Sequence, residues 1–522
     1  MALLAAAGFM GTALATVASG SANLEIAGLF SSDEELSGHI VLHMLRAGTL
    51  SPSHFFSYGA LYHELCALAL LPWQLLGGVS EREVVLGMRA VALAGGVATV
   101  LLAYLLGARI AGRWGGALAA AVVATGGELA KWGVTAHPDT VQVALLAAGL
   151  YAAVRRAEGG DRRWLIASAL LAGLAFSTKY AGVFLLPIIV AADFFVVGRS
   201  RRWRELALDT AAVGAVFAVV FVVTNPYALV EWRRLLTQVR EESDLAQAGH
   251  VFRAGGGALD WLRVVGGGGL AGPLTALLAG AGLVAALWTA RRGKGRNGPP
   301  AGYWTVTGFA ALYLGYLMVD TNFRVGRYAL PLVPALAALG AWTAVRGARW
   351  LWREADGRAV VGRAAVAAVG LLALALAVLP GALATADVVR LRDGRMDEPA
   401  VRATLEAGAW LEAHAEPAAR VLYDQYSYVP PRFTHRLATF GLTRAQVEAF
   451  RPDIIVTDEA IRGRFRDPAA ASSYVDGPQA YGERALAYRL LEQGELSCFV
   501  VAARFGPVTI YARELPGCVR AS

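Results

Sequence analysis

Over residues 1–385 the chain repeats one pattern: an apolar block about as long as a bilayer is thick, then a short polar loop rich in arginine. A spanning helix needs about 20 apolar residues, roughly 17–25, because its backbone must satisfy itself inside lipid. Blocks near 2–20, 84–105, 115–132, 139–154, 205–224, 265–288, 302–319, 329–346 and 360–380 meet or approach that length. The stretch 164–197 is too long for one pass and is broken at Ser177-Thr178-Lys179-Tyr180, so it reads as two short passes turning there. About eleven spans follow. Only 17% of the residues are charged, against about a quarter in soluble domains, which excludes an ordinary soluble enzyme.

The arginines orient the spans. Arg109 and Arg113 share one loop; Arg155, Arg156, Arg162 and Arg163 the next; then Arg199, Arg201, Arg202 and Arg204; Arg291, Arg292, Lys294 and Arg296; and Arg346, Arg349, Arg353, Arg358 and Arg363. With eleven passes all five loops fall on one face, which the positive-inside rule makes cytoplasmic. The segment 60–78, with His63, Glu64 and Pro72, would invert everything downstream if it crossed, so it reads as an interfacial or re-entrant element. The apolar N-terminus lacks a basic n-region and reads as the first span, with its start in the cytoplasm. The net charge of +8 comes from these clumps and does not suggest nucleic acid.

The opposite face then receives residues 21–83, the turn at 132–140, the turn at Lys179, the loop 225–264, the turn at 320–328 and the C-terminal region. Residues 1–386 form the membrane domain, with the first outer loop at 21–83, and 387–522 an outer α/β domain. In that domain 398–415 and 478–493 have helical periodicity, 420–427 and 453–458 read as strands, and 498–513 as a hairpin about Phe505-Gly506-Pro507. Cys498 and Cys518 lie on or just beyond its arms, where an oxidising compartment permits a bond.

Acids beside a span are candidates for function because burying them is costly. Ser31-Ser32-Asp33-Glu34-Glu35 follows the first span; Ser32 and Glu35 have capping-box spacing, which accounts for Glu35 better than for Asp33. His137-Pro138-Asp139-Thr140 opens the fourth span, also an ordinary helix start. Both acids fall on the outer face. Glu35, His39 and His43 lie at i, i+4 and i+8, so one helix face offers metal-competent groups; an amphipathic interfacial helix has the same spacing. Phe55-Phe56-Ser57-Tyr58 and Tyr62 suit the aromatic belt. The outer basic residues Arg89, Lys179, Arg324 and Arg327 run against the charge rule. They either snorkel to headgroups or clamp a phosphate, with Arg324 and Arg327 three apart on one helical face ahead of Tyr328.

The order of these pieces resembles the GT-C glycosyltransferases, in the branch of the protein O-mannosyltransferases and lipid A aminoarabinose transferases. The resemblance rests on Asp33-Glu34, Gly48 to Pro52 with Tyr58-Gly59-Ala60-Leu61-Tyr62, Arg89, Asp139, Phe176 to Gly182, Thr224-Asn225-Pro226-Tyr227, and Arg327 to Pro334. It spans most of residues 1–340. It implies a polytopic α-helical membrane protein that takes a monosaccharide from a polyprenyl-phosphate carrier and gives it to a hydroxyl of a lipid, glycan or protein acceptor.

By the family pattern Asp33 is the general base, with Glu34 and Asp139 in the catalytic group and Asp139 supporting the acceptor, or a divalent metal where a member uses one. Arg89, Lys179, Arg324 and Arg327 bind the donor phosphate; Tyr58, Tyr62, His137 and Tyr328 line the site. No cofactor is fixed by the residues themselves. Heavy Ala, Gly and Arg usage suggests a GC-rich bacterium, hence its inner membrane. The competing readings are a lipid-linked-sugar flippase or other transporter, which should show related halves and broken helices, and a membrane receptor or scaffold.

Overall fold

The computed structural model describes residues 1–197, 202–249, 251–253, 256–291, 299–355 and 360–513. Arg199, Arg201, Arg292, Lys294, Arg296, Arg358 and Cys518 lie outside them. The first eleven α-helices are α1 (Ala2–Thr16), α2 (Leu24–Gly28), α3 (Ser32–Ala47), α4 (Leu61–Gly77), α5 (Glu81–Ala111), α6 (Arg113–Ala124), α7 (Gly127–Gly133), α8 (Asp139–Ala157), α9 (Arg162–Thr178), α10 (Leu185–Phe194) and α11 (Trp203–Thr224). Four more apolar helices follow: Pro273–Arg291, Ala301–Asp320, Val333–Ala355 and Val360–Asp393. A helix stands at every expected span. Among the described residues five helices are long and apolar enough to cross a membrane: Glu81–Ala111, Trp203–Thr224, Pro273–Arg291, Gly326–Arg353 and Gly370–Asp393.

Two compact units divide the chain. The first comprises residues 1–18, 40–243 and 256–390. Its centre is α5, started by a capping box in which Glu83 N donates to Ser80 Oγ and Ser80 N to the Glu83 carboxylate, and stopped at Gly112, whose φ of +81° suits glycine. Apolar side chains cannot be driven together by water inside lipid, so such helices associate through close packing of small residues. Accordingly α5 packs on α1, α6, α8 and Val333–Ala355, and a Cβ at Gly95 would lie 2.7 Å from Val141 N of α8. The break expected in 164–197 is present: α9 ends at Thr178, Lys179 is extended (φ −160°, ψ 137°), and a 3₁₀ turn Tyr180–Phe184 leads into α10.

Not every loop arginine is a free topology signal. Arg156 is buried and pairs with Asp193 at 2.6 Å, while Asp209 pairs with Arg162 at 2.5 Å, which links α8, α9, α10 and α11. Segment 60–78 forms the single helix α4, buried through Tyr62, Cys66 and Leu70 and exposed through Leu68, Leu71, Trp73, Leu75 and Leu76.

The second unit comprises residues 19–39, 244–255 and 391 onward. Two segments expected among the outer loops therefore pack with the C-terminal region. Its sheet contains β1 (Arg420–Asp424), β2 (Thr434–Ala438), β3 (Ile454–Asp458), β4 (Phe499–Phe505) and β5 (Val508–Arg513), in the order β2-β1-β3-β5-β4. β2, β1 and β3 are parallel, and β5 runs antiparallel to β3 and β4. Helices Pro399–His414 and Gly477–Glu492 stand at the expected positions. β2 was not foreseen, because Thr-His-Arg-Leu-Ala is polar and mostly solvent-accessible, as an edge strand tolerates. Cys66 is a buried free thiol, whereas Cys498 is disulfide-bonded.

Asp424 ends β1 fully buried and accepts a hydrogen bond from the Tyr488 hydroxyl at 2.6 Å. Burial pushes its carboxyl up to about 7. In the unfolded chain the group titrates near 4. Between those values only the unfolded state ionises, so this residue's contribution to stability is complete below about pH 4 and is lost as pH rises toward 7. Asp424→Asn should remove that dependence and be the more stable form above pH 7, as read by thermal denaturation across pH 4–8.

Candidate active site

In the first unit Asp139, Lys179, His137, Arg327, Tyr58, Trp132 and Tyr328 form one cluster. Asp139 is the first residue of α8, where the positive end of the helix dipole favours a carboxylate. It is 2% exposed. Lys179 Nζ donates to its Oδ1 at 2.7 Å, and His137 Nδ1 lies 2.7 Å from Oδ2. His137 Nε2 faces the Tyr58 hydroxyl at 3.3 Å and Arg327 Nη1 at 3.5 Å. A guanidinium only donates, so Nε2 is the acceptor and the ring proton belongs on Nδ1, toward Asp139.

Aromatic faces hold the cations. The Lys179 ammonium sits 5.1 Å from the Tyr328 ring and 5.5 Å from that of Tyr58. The Arg327 guanidinium sits 5.2 Å from Trp132 and 5.6 Å from Tyr328. These are cation–π distances. Lys179 and Arg327 place two cations about Asp139 in a mostly buried setting, with the Glu128 carboxylate on the Trp132 indole; the two cations offer donors to an anionic ligand. Asp139 already has an ammonium at 2.7 Å, and that donor set does not fit a divalent metal beside it.

Separate motifs converge to position Lys179. Its carbonyl accepts from Gln142 Nε2 at 2.7 Å. Thr224 Oγ1 donates to Ser177 Oγ at 2.6 Å, and Ala60 N to Asn225 Oδ1 at 2.8 Å. The Tyr180 hydroxyl donates to the Phe56 carbonyl at 2.6 Å. Gly59 lies against this knot, and a Cβ there would be 1.9 Å from the Ser177 carbonyl oxygen. Backbone cannot swing away as a flexible side chain can. Gly59→Ala should therefore cost more than the about 1–3 kcal/mol of ordinary overpacking, seen as a lowered Tm in detergent.

Other expected site residues have different surroundings. Arg89 is fully buried and donates to the Val17 carbonyl at 2.8 Å, joining α5 to the exit of α1. The fully buried Tyr62 donates to the Met88 carbonyl at 3.1 Å and so fastens α4 to α5. Arg324 does not share a helical face with Arg327: residues 321–325 are non-helical and only Gly326–Ala329 forms a helical turn. Arg324 instead donates to Asn322 Oδ1 at 3.0 Å. Trp132 and Gln142 were missed as site residues; Trp132, four residues after Glu128 and hydrogen-bonded to it at 2.9 Å, lay in the turn already placed on the outer face.

Asp33, Glu34 and Glu35 belong to the second unit. The half-buried Asp33 lies in the first turn of α3. Glu34 is fully buried, 3.7 Å from Arg392. The capping box is not formed: Ser32 is itself the first helical residue, its hydroxyl accepts from Gln425, and Glu35 accepts from the Tyr423 hydroxyl at 2.6 Å. Tertiary partners outcompete the local cap.

The fold is that of the GT-C glycosyltransferases: a polytopic helical membrane protein with a small C-terminal sheet domain. It resembles the crystal structure of ArnT from Cupriavidus metallidurans bound to undecaprenyl phosphate, with a TM-score of 0.60, 16% identity and 97% of each chain covered. It also resembles the Archaeoglobus fulgidus oligosaccharyltransferase in the apo form, with a TM-score of 0.54, 13% identity, and 91% of this chain and 72% of that one covered. Residues 74–227 match the family described as dolichyl-phosphate-mannose-protein mannosyltransferase. Comparison with curated proteins finds no match.

Proposed function

We propose that this chain is an integral-membrane glycosyltransferase of a bacterial inner membrane. It moves a monosaccharide from a polyprenyl-phosphate donor to an acceptor hydroxyl of a lipid, glycan or protein on the extracytoplasmic side. The observation that carries the reading is the pair of cations Lys179 and Arg327 about Asp139, set in aromatic rings at the start of an apolar helix. A phosphate with a lipid tail needs such a site. The family matched by residues 74–227 is described by a lipid-phosphate sugar donor, and the ArnT structure holds undecaprenyl phosphate.

The reaction asks little of the protein. The acceptor oxygen bonds to the anomeric carbon, the bond from that carbon to the phosphate oxygen breaks, and the acceptor proton goes to a base. The leaving phosphate needs no general acid, only cationic stabilisation. Lys179 and Arg327 supply the latter. Asp33 is the base by the family pattern, and Asp139 holds Lys179 and His137 in place.

Turnover in detergent with a panel of polyprenyl-phosphate sugars tests this: release of polyprenyl phosphate with glycosylated acceptor is expected, and lipid movement in vesicles without cleavage would replace the reading with transport. Cysteine labelling should place 155–163 and 291–296 in the cytoplasm and residue 450 outside; a cytoplasmic residue 450 would put the cluster on the wrong face.

A further inference from the structure

The second unit contains a group of ligating side chains with no part in the chemistry above. Glu25 on α2, His39 on α3 and His435 on β2 bring one ligand atom each to within 4.8 Å of one another. The spacing on α3 alone suggested Glu35, His39 and His43. The tertiary structure takes Glu35 to Tyr423 instead and recruits Glu25 and His435 to His39.

Three observations point to a cation between them. Glu25 Oε1 and His435 Nε2 are 3.5 Å apart, close to the roughly 3.3 Å that separates neighbouring ligands on a tetrahedral ion with bonds of about 2.0–2.1 Å. His435 Nδ1 donates to the Phe433 carbonyl at 2.9 Å, the backbone contact that commonly orients a metal-bound imidazole. In the neutral ring that bond leaves a lone pair on Nε2 facing a carboxylate, which needs a proton or a metal ion between the two. Finally, Glu25 is 3% exposed and its Oε2 has no hydrogen-bond partner among the described residues. A buried carboxylate oxygen left without a hydrogen bond is costly unless a cation compensates it. His39 is exposed, and one of its ring nitrogens already lies within 4.8 Å of the other two ligand atoms.

We propose that Glu25, His39 and His435 bind a zinc ion, with water completing the tetrahedron. Two imidazoles and one carboxylate suit zinc better than calcium or magnesium, which prefer all-oxygen sites. The ion ties the segment 25–39, whose two ends supply ligands on either side of Asp33, to the edge strand β2. It also explains why β2 carries a histidine among polar residues. The site is a structural clasp, and it stands whether or not the transferase reading does.

Full-length protein in detergent, stripped with chelator and titrated with zinc at pH 7.5, should bind one ion per chain, and cobalt should give the visible absorption of a tetrahedral site. His39→Ala, at an exposed position that leaves the core intact, and Glu25→Gln should each weaken zinc binding by at least about 100-fold, beyond the 10–100-fold typical of outer-shell changes. His43→Ala should not change it, and His435→Cys should retain zinc by substituting a thiolate. Zinc should raise the Tm of the wild type and not of His39→Ala. Absence of stoichiometric zinc at 0.1 mM free ion (about a hundred times a micromolar Kd), or binding that His39→Ala and Glu25→Gln leave unchanged, would overturn the site and leave a proton as what lies between Glu25 and His435.

Discussion

Asp33→Asn is expected to lose about 10²–10⁴ of turnover, the usual contribution of a general base, while the protein expresses, binds donor and melts as the wild type does. The turn that carries Asp33 is held by its neighbours: Glu34 is buried beside Arg392, and Glu35 and Ser32 bond to Tyr423 and Gln425. The amide has the same shape as the carboxylate, so the backbone has no reason to move. Glu34→Gln should show the opposite profile, because it removes the acid next to a buried guanidinium. Its Tm should fall, with turnover per folded molecule reduced far less than in Asp33→Asn. Turnover of Asp33→Asn within about threefold of wild type, at matched donor saturation, would remove Asp33 from the reaction.

Lys179→Met should be the most destabilising single change in the cluster. It leaves the 2%-exposed Asp139 without its ammonium, and breaking a buried pair from one side costs about 3–5 kcal/mol. Donor binding should fall as well, but a melted site would give the same result. The double variant Lys179→Met/Asp139→Asn separates the two effects. With no uncompensated charge, it should recover most of the Tm, yet it lacks the cation for the leaving phosphate and should stay inactive. Recovery of turnover together with Tm would mean that Lys179 serves only to neutralise Asp139.

Much of this is legible in the sequence. Apolar length is a one-dimensional property, and helices stand at all the expected spans, with the chain turning at Lys179 as the tetrapeptide Ser177 to Tyr180 implied. Asp139, Lys179 and Arg327 are candidates from the sequence because charge beside an apolar block is expensive, His137, Tyr58 and Tyr328 because the family pattern lines the site with them, and these six share one cluster. Arg324 was misread because helical spacing was assumed where residues 321–325 leave the helix.

What sequence spacing alone determined is therefore what depends on neighbours along the chain: which segments are helical, and which polar residues stand beside them. What only the tertiary structure decided is which of those residues meet. Ser32 and Glu35 have the spacing of a cap but bond to Gln425 and Tyr423. Arg89 stands out as an outer cation but is buried on the Val17 carbonyl. His39 finds Glu25 and His435 rather than its own helix face. The physical reason is common, with Glu25 the buried member of the last group. A buried polar group takes the partner that best offsets its lost hydration, and that partner is set by packing between elements far apart in the chain.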